Sequence, residues 1–232
     1  MSEKVKISVV TPSFNEKEAI EQLIEDIKKN TKDYEAEILV VDSGTDGTQD
    51  IAAQLGARVI WQKPQGHGVA LRTAISQAKH DIIITTDCDN TYPMNYIPIM
   101  VDLIAKEGYD IISGNRLTKE LGSEMPLSNK MANIGFAFLV RLLYRINVHD
   151  VTTGMFCMRR SVNERIKFEH NYSLPCEIVI KSNLSGFKHK EIDISYTHRI
   201  GQVKLKKWIS GKAYLRCIFN YKFNLKIDPK KM

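Results

Sequence analysis

Asp81-Ile82-Ile83-Ile84-Thr85-Thr86-Asp87-Cys88-Asp89 is the stretch on which the fold of this chain turns. The β-branched run from Ile82 to Thr86 predicts a strand buried on both faces, as in a parallel sheet covered by helices. Two carboxylates, Asp87 and Asp89, leave its carboxyl end at i and i+2, a spacing that lets both point at one bound ion through a turn. A hard divalent ion such as Mg²⁺ takes one or two carboxylates and fills its other positions with phosphate oxygens and water. The competing reading is turn chemistry, since Asp and Asn also favour strand-to-helix turns.

Outward from this stretch the same rhythm repeats. Upstream, strands are expected at Val5 to Thr11, Ile38 to Val41 and Ala57 to Trp61. The intervening helices are expected at Glu16 to Lys29, with Ala19, Ile20, Leu23, Ile24 and Ile27 at helical spacing, and at Thr48 to Leu55. Another, Gly68 to Ala78, leads into the central strand. Downstream, helices are expected at Tyr96 to Lys106, Leu127 to Ile146, Ser173 to Leu184 and Trp208 to Phe223. Strands are expected at Tyr109 to Ser113, Met155 to Met158 and Ile192 to Ile200. Strands alternating with helices across short connections indicate βαβ units and a doubly wound α/β sheet.

Such sheets bind ligands beyond the carboxyl ends of their strands. The trailing residues there are Pro12 to Glu16, Asp42 to Thr48, Asp87 to Asp89, and Gly114-Asn115-Arg116. Three of these four sets carry acids, a costly like-charge arrangement unless a cation or ligand hydroxyls occupy the space between them.

The bulk properties bound the class. At 232 residues and 43% hydrophobic the chain can bury a substantial core, and its net charge of +6 is compatible with a phosphate-rich ligand or an anionic surface. The basic excess is concentrated late: between Arg199 and Met232 lie ten Lys or Arg and a single acid, Asp228. The four cysteines are far apart and lack zinc spacing, so reduced thiols in a cytoplasmic protein are expected. Met1-Ser2-Glu3-Lys4 runs straight into a strand pattern, which predicts no signal peptide, and no apolar run reaches the roughly 18–20 residues of a spanning helix.

Other motifs have both a functional and a blander reading. An Asp-x-Asp after an apolar strand also matches the nucleophile of haloacid-dehalogenase-type phosphatases. That motif opens its domain, however, and here three strand–helix units precede it, with no downstream acidic pair to complete a Mg²⁺ site. Gly66-His67-Gly68 lacks the third glycine of a dinucleotide fingerprint and follows the third strand, so it reads as a tight loop that lets backbone approach a ligand. Arg199, Gly201, Lys204 and Lys206 form a basic loop, either a solvated charge run or a phosphate clamp. The run from Gly135 to Val140 is apolar all round. Together with the basic, aromatic helix from Trp208 it suits a membrane interface, with dimerisation or plain core as the alternatives.

Taken together, Ser8-Val9-Val10-Thr11-Pro12-Ser13-Phe14-Asn15-Glu16, Val40-Val41-Asp42 with Asp46-Gly47-Thr48, and Thr86-Asp87-Cys88-Asp89 resemble the GT-A glycosyltransferases of family 2. Ser113-Gly114-Asn115-Arg116, Asp150-Val151-Thr152-Thr153-Gly154-Met155 and Arg199-Ile200-Gly201-Gln202-Val203-Lys204-Leu205 resemble the dolichyl-phosphate mannose and glucose synthase branch. The resemblance covers about residues 5–210. It implies an α/β GT-A (Rossmann-like) fold, a mixed, mostly parallel sheet flanked by helices, with C-terminal amphipathic interface helices. The expected domains are a catalytic unit over 1–207 (1–116 the nucleotide-sugar half, 117–207 the acceptor half) and a basic amphipathic helix and tail over 208–232.

By the same resemblance Pro12, Ser13, Glu16 and Asp42 hold the nucleoside, and Asp87 lies near the donor's ribose and sugar. Asp89 ligates Mg²⁺ or Mn²⁺, and Thr91 stands where mannose synthases often carry Gln as a further metal ligand. Asp87, Asp89, Arg116, Arg199 and Lys204 form the expected catalytic set, and Asp150, Thr153, Arg199 and Lys204 the acceptor set. Asn115 replaces the Ser usual before the Arg. The implied reaction is inverting, metal-dependent transfer of one hexose, mannose or glucose, from a UDP- or GDP-sugar to a polyprenyl phosphate. It would occur peripherally on the cytosolic face of a membrane, with a separate membrane-anchoring protein as a further candidate partner and no nucleic acid.

A lipid monophosphate is already an oxyanion near neutral pH, its second pKa being about 6, so it needs positioning and charge neutralisation instead of a strong base. A hydroxyl acceptor would need a carboxylate base, for which Asp150 and Glu177 are the candidates. The QxxRW pattern of processive synthases is absent, which favours single-sugar transfer.

Overall fold

The computed structural model describes residues 4–118, 125–201 and 207–223. Its elements are β1 (Lys6–Ser13), α1 (Ile20–Thr31), β2 (Glu35–Asp42), α2 (Thr48–Gln54), β3 (Arg58–Trp61), α3 (His67–Gln77), β4 (Ile82–Thr85), α4 (Ile97–Ala105) and β5 (Ile111–Asn115). They continue with α5 (Leu127–Tyr144), β6 (Phe156–Arg159), α6 (Arg160–Arg165), α7 (Leu174–Leu184), β7 (His189–Asp193) and α8 (Lys207–Phe223). The seven strands form one sheet in the order β3-β2-β1-β4-β6-β5-β7. The pairs β1/β2, β1/β4, β2/β3 and β5/β7 are parallel, whereas β6 runs antiparallel to both β4 and β5. The expected mixed, mostly parallel sheet is therefore present, with β6 as its reversed strand.

Alternation along the strands divides the core. Val10, Leu39, Val41 and Ile83 point to one face, where Leu71 and Ile75 of α3, Val140 of α5, Ile178 of α7 and Ile218 of α8 cover them. Val9, Val40, Ile82 and Ile84 point to the other, beneath Ile20, Leu23, Ile24 and Ile27 of α1 and Ile97 and Val101 of α4. Both faces are buried, and that is why the strands read as unbroken apolar runs. At about 1.5–3 kcal/mol per fully buried aliphatic side chain, these two layers dominate the stabilisation.

Register then places the acidic ends. β1 and β2 pair with Ser13 opposite Asp42, and β1 and β4 with Val10 opposite Thr85, so the residues after Pro12, Asp42 and Thr86 emerge together at one sheet edge. Reversed β6 sets Phe156 opposite Thr85 and brings Gly154 to the same edge.

Two elements differ from expectation. The first helix begins at Ile20 because the backbone of Glu16 and Lys17 is held by Thr48 and Asp46 of the neighbouring loop, which leaves 16–19 as a turn. The late strand is His189–Asp193, not Ile192 to Ile200: β5 ends at Asn115, opposite Asp193, so the ladder stops there, and the chain beyond keeps only an isolated bridge at Tyr196 as it crosses the sheet edge. In the expected C-terminal helix, Ala213 of α8 is buried, and Tyr214, Cys217 and Ile218 join the main core beside α5 and α7. Among the described residues no helix is long and apolar enough to cross a membrane, and all four cysteines are free and buried.

Candidate active site

A cleft of about 360 Å³ opens at the edge where β1, β2 and β4 end. Pro12, Ser13, Glu16 and Ser43 line one part, Asp87, Asp89, His67 and Arg199 its middle, and Ala70, Asn171, Tyr172, Pro175 and Tyr214 the far wall. Asp42 stands directly behind this surface, its carboxylate accepting a hydrogen bond from Ser13 Oγ and one from the Gly44 amide (3.2 Å). Asp46, the other acid of that loop, caps α2 through Thr48 N and Oγ1 (3.1 and 2.6 Å), so its role is turn chemistry.

Asp89 is only 4% exposed. Its Oδ1 accepts from the backbone amide and hydroxyl of Thr91 (3.1 and 2.6 Å), and its Oδ2 lies 2.9 Å from Arg199 Nη1. Arg199 also extends Nη2 to within 3.6 Å of Glu16, while its buried Nε finds no hydrogen-bond partner among the described residues. Burial and the neighbouring Asp87 charge raise the Asp89 pKa, against the pull of Arg199 and Thr91. Asp87 behaves oppositely: burial works to raise it, but His67, Arg116 and Arg199 hold it below the ordinary carboxylate range. His67 Nε2 sits 2.9 Å from Asp87 Oδ1. Desolvation in the cleft wall works to lower the imidazole's pKa, yet the Asp87 hydrogen bond and charge raise it overall. Opposite His67, a Cβ added at Gly154 would come within 2.9 Å of the Asp87 carboxylate, so only glycine lets the β6 approach close against it.

The chain after β7 lies across this loop as a strap. Thr197 N donates to Thr91 O (3.1 Å), Thr197 Oγ1 to Asn90 O (2.7 Å) and Ile200 N to Asp89 O (3.0 Å), and this registers Arg199 over the acidic pair.

The remaining expected residues sit behind the cleft. Arg116 makes a two-pronged bond to Asp150, Nε to Oδ2 at 2.7 Å and Nη2 to Oδ1 at 3.1 Å, and donates further to Thr152 Oγ1 and Tyr92 OH. The rings of Tyr92 and Tyr196 pack on its guanidinium. Arg116 and Asp150 are both buried, so this arginine is a brace between the β4, β5 and β6 loops and does not reach the cleft surface. Thr153 is likewise buried, its Oγ1 accepting from Met155 N. Glu177 is fully buried, holding the Glu169 and His170 amides, Tyr221 OH (2.7 Å) and Lys181 (2.9 Å). Lys204 lies outside the described residues.

The side chains of His67, Tyr92, Asn171, Tyr172 and Tyr214 carry no functional signal of their own in the sequence. The Gly66-His67-Gly68 loop was legible as a close-approach turn, but nothing local marked the imidazole as Asp87's partner. Asn171 and Tyr214 arrive from distant segments whose arrival at the cleft only the fold specifies.

The donor set suits a divalent ion of the Mg²⁺ or Mn²⁺ kind. Among the described residues no group of three His, Cys, Asp or Glu forms a protein cage, and the buried Asp89 carboxylate, crowded by Asp87, has the Arg199 guanidinium as its counter-charge, a place a divalent ion would share or take over. An ion taking one or two carboxylates and completing its shell with phosphate oxygens and water matches that pattern.

The glycosyl transferase family 2 profile matches residues 8–167 of the chain. A dolichyl-phosphate hexose transferase of Haloferax volcanii is 42% identical over 208 residues, 89% of this chain and 90% of that protein. A dolichol-phosphate mannosyltransferase of Pyrococcus furiosus is 29% identical, over 93% of this chain and 63% of its own length. Among solved structures, a glucosyl-3-phosphoglycerate synthase of Mycobacterium tuberculosis, crystallised with Mn²⁺, UDP and glucosyl-3-phosphoglycerate, superposes with a TM-score of 0.76 over 94% of this chain and 80% of its own, at 20% identity. That likeness shows the GT-A architecture. A family profile spanning most of the fold, a relative matched almost end to end and a carboxylate pair at the expected sheet edge lead to one conclusion: the chain belongs to glycosyl transferase family 2 and is a glycosyltransferase of GT-A fold.

Proposed function

We propose that this glycosyltransferase moves one hexose from a nucleotide diphosphate sugar to a polyprenyl phosphate at a membrane surface, with Mg²⁺ or Mn²⁺ at Asp89. The observation that carries the acceptor class is the placement of carboxylates. A hydroxyl acceptor requires a base, and Asp150 and Glu177, the candidates on the acceptor side, are buried and consumed by Arg116, Thr152, Lys181, Tyr221 and backbone amides. The acids that line the cleft, Glu16, Asp87 and Asp89, cluster at the donor end. A phosphate acceptor needs no proton removed and is served by cations, which the Arg199 side chain and the basic Lys204 stretch supply.

Pro12, Ser13 and Glu16, backed by Asp42, receive the nucleoside, and Asp87 faces the ribose and sugar. Asp89 holds the ion, and Thr91 is a positioning residue whose two hydrogen bonds fix the Asp89 rotamer. When bound, the ion neutralises charge on the departing diphosphate. Arg199 is placed to exchange its bond to Asp89 for phosphate oxygens, and its Nε, without a partner among the described residues, is a donor suited to an oxyanion. The acceptor oxygen bonds to the anomeric carbon as the bond from that carbon to the diphosphate oxygen breaks, so configuration inverts. The name of the Haloferax relative supports this acceptor, and the Mn²⁺ and UDP bound by the mycobacterial structure support the donor side.

The membrane reading rests on α5 and α8. These packed helices carry exposed Leu127, Met131, Phe138 and Leu142 on α5 and Trp208, Ile209 and Phe223 on α8, among Lys130, Arg141, Lys212 and Arg216. Tyr214 of α8 reaches the cleft's far wall, which links that surface to the acceptor end. The test offers radiolabelled UDP- and GDP-hexoses with polyprenyl phosphate, the matching polyprenol, or a soluble glycan. Transfer to the phosphate and not to the alcohol or glycan supports the proposal; preference for a hydroxyl overturns it.

A further inference from the structure

His67 is the side chain in the cleft for which neither the family profile nor the named relatives provide a role, and its surroundings are built with care. It opens α3, between Gly66 and Gly68. Asn171, on a segment far away in sequence, grips this turn: its Oδ1 accepts from the Gly68 amide (2.9 Å) and the Val69 amide (3.3 Å), and its Nδ2 donates to Gln65 O (3.0 Å). The fit is tight enough that a Cβ at Gly68 would lie 2.2 Å from Asn171 O. Asn171 therefore satisfies orphan amides at the start of α3, as a capping side chain does, and fixes the direction in which His67 leaves the helix. That direction ends at Asp87, with Nε2 2.9 Å from Oδ1. The Asp87 carboxylate is boxed between this imidazole and the Gly154 backbone.

We propose that His67 is a positioning residue for donor binding: its Nε2–H holds the Asp87 carboxylate in the orientation that meets the donor, and Asn171 holds His67. The inference rests on the reading of Asp87 as a donor contact. It names a relay that crosses the cleft, from the segment before α7 through the first turn of α3 to the end of β4. The bond from His67 to a carboxylate is charge-assisted, and its loss leaves Asp87 free to rotate toward Asp89 or Arg199.

The test is titration calorimetry of UDP and of GDP, each with Mn²⁺, on wild type, four single variants and one double variant, with thermal unfolding as a check on fold. His67→Ala should weaken binding of the preferred nucleotide about tenfold, the order expected for one hydrogen bond to a charged group. His67→Gln, whose amide nitrogen reaches the place of Nε2, should restore binding to within about threefold, whereas His67→Asn, which reaches only the place of Nδ1, should behave like the alanine variant. Asp87→Asn should weaken binding at least as much as His67→Ala, and adding His67→Ala to it should cost nothing more, because the two act as one unit. Unchanged binding in Asp87→Asn overturns the donor-contact reading and this proposal with it. Weakened binding in Asp87→Asn beside unchanged binding in His67→Ala overturns the proposal alone. So does a glutamine variant no better than alanine. His67 faces the cleft and is not part of the core, and the glutamine variant preserves its bulk, so the comparison with Asn stands even if the alanine variant is less stable.

Discussion

Arg199 Nη1 lies 2.9 Å from Asp89 Oδ2, so a cation of the protein itself rests on the carboxylate expected to hold the metal. The strap hydrogen bonds from Thr197 and Ile200 keep it there. The arrangement gives the buried acid a counter-charge, and under the proposed function loading of the donor would release the guanidinium toward phosphate.

Asp89→Ala should therefore abolish transfer, by at least about 100-fold as expected for loss of a main electrostatic contact, while circular dichroism and the melting temperature stay near those of wild type. Asp89 belongs to a loop at the sheet edge and supports no core packing, so stability has little to lose. Full activity of this variant in the presence of EDTA would contradict the metal assignment.

Arg116 gives the opposite expectation. It and Asp150 form a buried, two-pronged pair, 7% and 0% exposed, and burial of Asp150 is offset by Arg116, which holds the acid's pKa down. Arg116→Ala leaves a buried carboxylate unpaired and should cost about 3–5 kcal/mol in urea unfolding. If the arginine served bound phosphates instead, the variant would lose activity and keep its stability.

The apolar face of α5 and α8 predicts co-sedimentation with vesicles containing anionic phospholipid. Trp208 is 85% and Phe138 54% exposed, and both belong on the docked side. Replacing both with Ser should lower the vesicle-bound fraction by about tenfold, in line with the apolar area withdrawn, while transfer to a short, water-soluble polyprenyl phosphate proceeds at the wild-type rate. Equal vesicle binding by the variant would remove this surface from the account.

His189 supplies a stability signature in mild acid. Its Nδ1 faces the Asn183 amide nitrogen (3.1 Å), a donor, and its Nε2 faces Ser113 Oγ (2.8 Å), so the ring is held neutral. Burial lowers its pKa from 6.5 to about 4. The unfolded chain thus binds the proton first: stability is intact above about pH 6.5 and falls as pH drops toward the folded value. Between about pH 7.5 and pH 5 the wild type should lose about 1–2 kcal/mol more than His189→Gln in urea unfolding, after allowance for partial exposure. A difference between the two proteins that does not change with pH would contradict this.

Much of the fold was legible because both faces of the sheet are buried: the runs at Val5 to Thr11, Ile38 to Val41 and Ile82 to Thr86 needed no tertiary information to be read as strands. The reversal of β6 was not visible in Met155 to Met158, because four apolar residues read alike in either direction. The strand expected at Ile192 to Ile200 failed for a tertiary reason: extended chain becomes a strand only where a neighbour supplies a ladder, and β5 ends opposite Asp193. At the site, Pro12, Ser13, Glu16, Asp87, Asp89 and Arg199 do converge on one cleft. Arg116, Asp150, Thr153 and Thr91 share motifs with them but turn inward, since a sequence pattern marks a loop without saying which of its side chains faces the ligand. Asn171 carries no local signal because its contact, to the Gly68 amide, spans 103 residues, and the His67 imidazole none because its partner Asp87 lies 20 residues on at the end of another strand.

The central claim, transfer of one hexose directly onto a lipid phosphate, is tested most directly by the structure of the product. Incubation of the chain with a nucleotide sugar, polyprenyl phosphate and Mn²⁺ or Mg²⁺, followed by organic extraction and proton and phosphorus NMR, should yield a lipid hexosyl phosphodiester. It should carry a single hexose of anomeric configuration opposite to the donor's, with one nucleoside diphosphate released per product. Retained configuration, several hexoses per lipid, or free phosphate in place of the phosphodiester would contradict the account.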